Sequence, residues 1–525
     1  MPSASRSAVL ACTDTVRPNG RGASRTCSRR LPRARKLHTW AGLGAGLWLA
    51  ILGITGFVLD HRDWSWMWQY TVPQLLVPDQ VVDKARNGTV KLYQINPDRP
   101  AQRVAGGPQG LWMSVDGGQQ WKPVTFETSA AMPGINVILD DSGSSWSKLW
   151  LGTRNGVWRL DPVTGSAQPV ALEGENITAL SEGPTPRELL GVVDKSWVFR
   201  LILTGGVQPE RIDVAPPNPD QLPGHIDISR LVHDLHFGRG TLAEPFSLLA
   251  NDIGAWIMLL LPVSGFLFWW LPRRWGSIPK AKKPRASTRK KTMRWVYRLH
   301  GPVLGVVAVI PFLYLTTTGI ILDHASGLRP WMKSIHIARA LQPPVYRLRS
   351  WDNEIYAIAG YPGDRNRFSL GTRLGLFTTR DGGQNWARET GKPFDPGFVW
   401  TLRRHGDELL IGSMGGPNLQ RSEGNGWRPV KGTGHMPTDI TRDGNGGYLW
   451  LNHEGLQPGT SAARRLPAQH NFPRVDGVPW YFVIDGLHSG VLIHAQWKWV
   501  NDLVALACLL LTITGLMRWW RQRWI

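Results

Sequence analysis

Cysteine is nearly absent from this chain, with three in 525 residues. Cys12 and Cys27 lie in a basic leader and Cys508 lies inside an apolar run. No CxxCH is present, which excludes the usual covalent attachment of a c-type haem, and no CxxC offers a zinc or redox pair. The long polar stretches contain no cysteine at all, so they must fold without disulfides. No GxGxxG stands at a strand–helix turn, so nothing marks a nicotinamide or flavin domain. Residues 1–36 also lack the apolar core of a cleavable signal peptide and read as a disordered basic leader.

Acidic residues are missing where basic ones are dense. The formal net charge is +21, yet residues 1–36 hold nine Lys/Arg and one acid, and residues 272–298 hold eleven and none. Three more arginines follow Met517. The remainder carries 37 basic against 38 acidic residues. A nucleic-acid surface is therefore not expected, because neither long loop is basic. Short Lys/Arg-rich segments beside apolar runs mark the cytoplasmic side of a membrane.

Four apolar runs are long enough, or nearly so, to cross a bilayer: Leu37–Leu59, Ile253–Leu271, Val303–Leu322 and Val500–Met517. A spanning helix needs roughly 20 such residues. The expected organisation is a leader (1–36), a first span (37–60), a first periplasmic β-rich half (61–252) and a second span (253–271). A basic cytoplasmic loop (272–298) leads to a third span (299–323), a second β-rich half (324–499), a fourth span (500–517) and a cytoplasmic tail (518–525). The fold class is thus membrane α-helical plus a β-rich domain on the far side, in contact with lipid; the family resemblance given below implies a bacterial inner membrane, with that domain in the periplasm.

The unit helix–loop–helix occurs twice. Leu37-His38 and Thr55-Gly56 through Asp60-His61 match Leu299-His300 and Thr318-Gly319 through Asp323-His324. Leu235-His236-Phe237-Gly238 and Asn251-Asp252 match Leu487-His488-Ser489-Gly490 and Asn501-Asp502. Ser264-Gly265 and Thr514-Gly515 mark the second and fourth runs. Each loop also carries a Ser/Thr-x-Asp-Gly-Gly-x-x-Trp segment, Ser114–Trp121 and Thr379–Trp386. This resembles the Asp-box of β-propeller hairpins, where Asp-Gly-Gly supplies the turn and the Trp packs across the strands. Two β-rich halves are expected, separate or combined into one propeller-like body. The motif is read as a fold element and not as a catalytic site.

Six of the fourteen histidines fall at span boundaries in repeat-related pairs: His38/His300, His61/His324 and His236/His488. A histidine inside or beside a membrane is costly without a partner, which makes function its default reading. Two imidazoles facing a pseudo-two-fold axis can supply both axial ligands of a b-type haem. His38 with His300 is the only pair at the basic face; at the other face His61, His324, His236 and His488 leave the pairing open. The alternative is interfacial histidines bonded to headgroups or backbone. Gly42, Gly44, Gly46, Gly301 and Gly305 are read either as room for a flat macrocycle or as close helix packing. Asp60 and Asp323 are candidates to orient a neighbouring imidazole. Asn251-Asp252 and Asn501-Asp502 are read as capping groups, with a proton or quinol role as the alternative. His233 and His494 read as surface residues. His225, His336, His405, His435, His453 and His470 lie singly and support no metal site by spacing.

The L-H-x₃-G opening of His38 and Gly42 with the later Thr55-Gly56, and the L-H-x-G of His236/Gly238 and His488/Gly490 before spans ending at Trp270 and Trp520, resemble the PepSY-associated transmembrane helix family. That family includes bacterial inner-membrane reductases of iron–siderophore complexes, which hold haem between membrane-embedded histidines. The resemblance implies two b-type haems on these histidines, with quinol or a partner reductase as electron donor. It implies a periplasmic metal complex, such as a ferric siderophore, as acceptor. The loops depart from the family pattern, since they read as Asp-box β structure and not as a small α/β module. The alternative function is a non-enzymatic membrane protein that displays a propeller-like binding or sensing domain.

Overall fold

The computed structural model describes residues 31–127, 133–140, 146–204, 206–242, 246–390, 397–422, 424–459 and 472–523. Residues 1–30 of the leader, with Cys12 and Cys27, and His470 lie outside the described residues; residues 31–36, expected as disordered leader, instead begin the first long helix.

Among the described residues three helices are long and apolar enough to cross a membrane: Leu31–Asp60, Phe246–Ser277 and Lys498–Arg523. The expected third span is not one straight helix. Its basic lead-in Ala286–Arg298 runs into a π-helical turn, Leu299–Gly305, and then into Val309–Asp323. The two arms meet at 61°, and only the pair together has the length of a fourth span. Pro302 lies inside the π turn and Pro311 just beyond it. Proline removes a backbone donor and clashes with the preceding turn, which bends a helix where it sits.

The apolar helices pack through small residues. A side chain on Gly53 would lie 2.7 Å from the Ala255 carbonyl oxygen, so these two helices touch backbone to backbone. Gly46 meets Pro262 in the same interface. Trp48, Leu49, Ile257, Met258, Leu304, Phe312, Val504 and Cys508 form the shared core. Trp40, Leu47, Ile310 and Leu503 face outward. Apolar side chains outside as well as inside are what a lipid solvent requires.

Among the described residues the long loops form six larger sheets, three from each loop, antiparallel except where Ser166–Ala171 runs parallel to Thr125–Phe126, with strands in chain order in the four-stranded members. Their first strands are Leu92–Ile95, Ile135–Asp140, Ile177–Glu182, Ile355–Tyr361, Phe398–His405 and Asp439–Arg442. Each packs beside the next in this order, and the sixth returns to the first. At that return the Tyr93 N–H donates to Asp439 Oδ2 (2.9 Å) and the Ile95 N–H donates to Thr441 Oγ1 (3.0 Å). Between the third and fourth sheets, the Gly360 N–H donates to Ser181 Oγ at 3.0 Å. The two Asp-Gly-Gly segments form matching turns. Ser114 Oγ donates to Asp116 while accepting from the Gly118 N–H, and Thr379 does the same with Asp381 and Gly383. Gly117, Gly118, Gly382 and Gly383 all hold positive φ there, which side chains avoid. Backbone N–H donors around Asp381 hold its carboxyl at about 2.

His405 is buried in the fifth sheet against Tyr448. Burial pushes its pKa down to about 4. The unfolded chain takes up a proton near pH 6.5 that the folded sheet refuses, so stability is full above 6.5 and falls as pH drops toward 4. Between pH 7 and pH 5 the expected loss is about 2 kcal/mol. Thermal midpoints of His405→Phe should lose most of this pH slope; an unchanged slope would assign it elsewhere.

Two small ladders join the sheets to the apolar helices. Thr71–Val72 pairs with Val478–Pro479, and His225–Asp227 pairs with His336–Ala338. Each leads directly into a short helix, Trp480–Ser489 or Ile228–His236. These helices end on the repeat-related histidines.

Candidate functional site

His38 lies on the first apolar helix and His300 in the π-helical turn, and their ring centroids are 6.3 Å apart. His236 and His488 end the two short helices, and their centroids are 6.5 Å apart. The structure thus joins both pairs. His38 and Thr55, which touch different pairs, are 17 residues apart on one helix, so the two layers lie about 25 Å apart.

Each imidazole in both layers is held the same way. His38 Nδ1 meets Thr514 Oγ1 (2.8 Å), and His488 Nδ1 meets Thr55 Oγ1 (2.8 Å). His236 Nδ1 meets Thr318 Oγ1 (3.1 Å), and His300 Nδ1 meets Ser264 Oγ (3.1 Å). All four hydroxyl residues are buried. A hydroxyl has one proton, and here it is already given to a backbone carbonyl: Thr514 to Leu510, Thr55 to Ile51, Thr318 to Tyr314 and Ser264 to Leu261. Each hydroxyl therefore accepts from Nδ1–H. With each hydroxyl proton on its carbonyl, Nδ1 carries the ring proton and Nε2 keeps its lone pair. That is the tautomer a metal ligand requires.

The glycine after each hydroxyl residue makes room for the ring. A side chain on Gly56, Gly265, Gly319 or Gly515 would stand 3.0–3.7 Å from Cε1 of His488, His300, His236 or His38 respectively. The repeated Ser/Thr-Gly is thus an imidazole socket. Sequence reasoning had these dipeptides as marks of the repeat and missed their role. Of the glycines read as room for a macrocycle, Gly42 faces Leu511, Gly46 faces Pro262 and Gly305 lies against the His300 carbonyl, which is packing; Gly44 faces open space, and Gly301 lies at the edge of Tyr297.

Desolvation pushes His236 down to about 3, with His488 close by adding to the effect, and it lowers His488 as well. Asn251 Nδ2 donates to the His236 carbonyl (2.9 Å), and Asn501 Nδ2 donates to the carbonyls of Ser489 (3.2 Å) and His488 (3.5 Å). The asparagines fasten the short helices that carry His236 and His488 to the long helices.

His61 and His324 are placed differently. His61 Nε2 stands 3.7 Å from Asp252 Oδ2, and His324 Nε2 stands 2.8 Å from Asp502 Oδ2. The aspartates that meet these imidazoles are Asp252 and Asp502. Asp60 instead accepts from Asn251 at 3.4 Å, and Asp323 bonds to Asn501. These pairs join the first long helix to the second and the bent pair to the last.

Among the described residues no group of three or more His, Cys, Asp or Glu is placed to hold a bare metal ion. Two facing imidazoles need a macrocycle to complete the coordination. A metal–nitrogen bond is about 2 Å and the ring centroid lies about 1 Å behind the nitrogen, so two rings on opposite faces of one metal stand about 6 Å apart. Both observed separations match. The neutral tautomers, the buried second partners and the spacing fit a bis-imidazole haem in each layer.

The fold and these sockets define a membrane protein built of apolar helices and a β-rich domain, with paired imidazoles in the helical part. The chain belongs to the family described as the PepSY-associated TM region, which matches residues 35–522. No curated protein matches it. Among solved structures it is similar to an ancestral GH74 enzyme at 11% identity and a TM-score of 0.31, over 70% of this chain and 35% of that one. It is also similar to a protein of unknown function from Bacteroides thetaiotaomicron at 8% identity and a TM-score of 0.33, over 70% and 68%. The computationally designed Ika8 protein matches at 10% identity and a TM-score of 0.31, over 70% and 82%.

Proposed function

We propose that the chain is a b-type haem electron-transfer protein of a bacterial inner membrane, reducing a periplasmic metal complex such as a ferric siderophore. The observation that carries this reading is the four-fold recurrence of one socket: a buried hydroxyl on Nδ1, a glycine against the ring, and a second imidazole about 6 Å away. Packing alone does not call for the same tautomer four times. Bound there, haem supplies a one-electron couple.

In this reading the bent pair counts as one span and the chain crosses four times. Both termini and the basic 272–298 segment then lie in the cytoplasm. His38 and His300 form the inner layer. His236 and His488 form the outer one. The six sheets make one six-bladed propeller with Asp-box turns in its first and fourth blades, on the periplasmic side. Because the sequence carries no GxGxxG at a strand–helix turn to mark a nucleotide domain, electrons enter from quinol or a partner reductase.

Reconstitution tests this function. Liposomes enclosing an impermeant reductant should reduce an external ferric hydroxamate chelate, with the ferrous product trapped by a coloured chelator. The His38→Ala protein should reduce at least tenfold less. Equal rates for wild type, variant and empty liposomes would refute the reading.

A further inference from the structure

The repeat is broken in one of the two ladders that join the sheets to the apolar helices. In the His225–Asp227/His336–Ala338 ladder, His225 and His336 stack with centroids 4.5 Å apart and planes within 27°. The mate of this ladder is Thr71–Val72/Val478–Pro479. Counting back from the matched His236 and His488 places Gly477 opposite His225 and Pro479 opposite Asp227. The ladder registers then place Thr71 opposite His336. One copy of the fold thus carries two stacked imidazoles and a carboxylate where the other carries glycine, threonine and proline.

The stacked pair lines a cavity of about 380 Å3, which also takes in Asp227, Arg230, Lys333 and Arg373. The size suits a small ligand. Three cations face one carboxylate, Asp227, across this space. Behind the wall, Arg373 bonds to Glu354 and lies 4.0 Å from Asp234. Arg230 Nη2 donates to the Arg373 carbonyl (2.6 Å), and Lys333 Nζ donates to the Gly415 carbonyl (2.5 Å). Each is fixed by one bond and retains further donors. Stacked imidazoles add N–H donors or ligand nitrogens on the same wall.

The cavity is joined to the outer imidazole pair by a single element. Asp227 caps the Ile228–His236 helix by accepting from the Arg230 N–H (2.7 Å), and His236 is its last residue. Nine residues of helix span about 13 Å. Asp234 on that helix is buried, and Tyr346 donates to it at 2.7 Å. Burial alone would raise its carboxyl, but Arg230, His233 and Arg373 hold it at about 2. The helix is therefore pinned between the cavity and His236.

We infer that this cavity is the docking site for an anionic, oxygen-rich metal chelate, with Arg230 and Lys333 binding its anionic oxygens and the His225/His336 stack contacting its metal-bearing face. This rests on the electron-transfer reading above and adds the place and charge of the acceptor. The step is balanced: one electron leaves the reduced outer centre and the chelated ferric ion becomes ferrous, with no proton required.

The test uses the full-length protein in detergent, reduced with dithionite and mixed with ferric citrate in a stopped-flow spectrometer. Haem reoxidation by ferric citrate should slow about tenfold in His225→Ala/His336→Ala and in Lys333→Glu, at unchanged haem content. It should also slow with added salt, while Thr71→Ala, in the mate ladder, keeps the wild-type rate. Wild-type rates in both cavity variants would overturn the site. Should the protein carry no haem, the electron-transfer reading fails by itself. Ferric citrate quenching of tryptophan fluorescence then decides the cavity alone: weaker binding in the double variant supports it, and equal binding overturns it.

Discussion

On the proposed haem reading, alanine at His38 or His300 should remove one haem per chain and leave the other, and alanine at His236 or His488 should do the same for the second. The two layers lie about 25 Å apart on the helix that carries both His38 and Thr55, so neither can lend a ligand to the other. Within a layer the single loss is decisive, because the remaining imidazole has its Nδ1 committed to a hydroxyl and offers only one nitrogen. The sockets predict a graded effect as well. Thr514→Val and Ser264→Ala keep the ligands but free the tautomer, and loss of such a partner weakens metal binding by about 10–100-fold. Pyridine haemochrome assay on each purified variant reads the first effect, and haem loss to a scavenging apoprotein reads the second. Full haem content in all four alanine variants would exclude these imidazoles as ligands.

The second large effect is on folding. Asp439 is buried where the sixth sheet returns to the first, and three groups from other strands donate to it. Arg403 donates to it twice, at 2.9 and 2.7 Å, while the Tyr93 N–H and Gln94 Nε2 each donate at 2.9 Å. Asp439→Ala leaves a buried guanidinium without its counter-charge, a defect that costs about 3–5 kcal/mol. It also orphans the Tyr93 N–H. Removing both charges together, as in Asp439→Leu/Arg403→Met, should cost less than the single change, since no unpaired charge remains. Denaturation followed by tryptophan fluorescence checks the order. A double variant less stable than Asp439→Ala would contradict it.

How much of this was legible in the sequence depends on the range of the interaction. The apolar runs, the repeat and the turn-forming Asp-Gly-Gly segments are local patterns, and they mark the apolar helices and the β-rich loops directly. Repeat symmetry also selected His38/His300 and His236/His488, because symmetry brings related residues to a common axis. It could not choose between His236/His488 and His61/His324, which are equally symmetric; only the fold places Asp252 and Asp502 beside the latter. The hydroxyl sockets join residues up to 476 positions apart, so the Ser/Thr-Gly dipeptides were visible while their partners were not. The bend of the third run was legible in part, since Pro302 and Pro311 were there to be weighed. The His225/His336 stack was not, because a two-strand ladder between distant segments leaves no spacing signal. The contact of the sixth sheet with the first is likewise carried by hydrogen bonds such as that of Tyr93 with Asp439, which no short-range pattern encodes.

The haem content of the purified wild-type protein, produced with ample haem, tests the account most directly. Two b-type haems per chain are expected. A folded, colourless protein would contradict the account at its root.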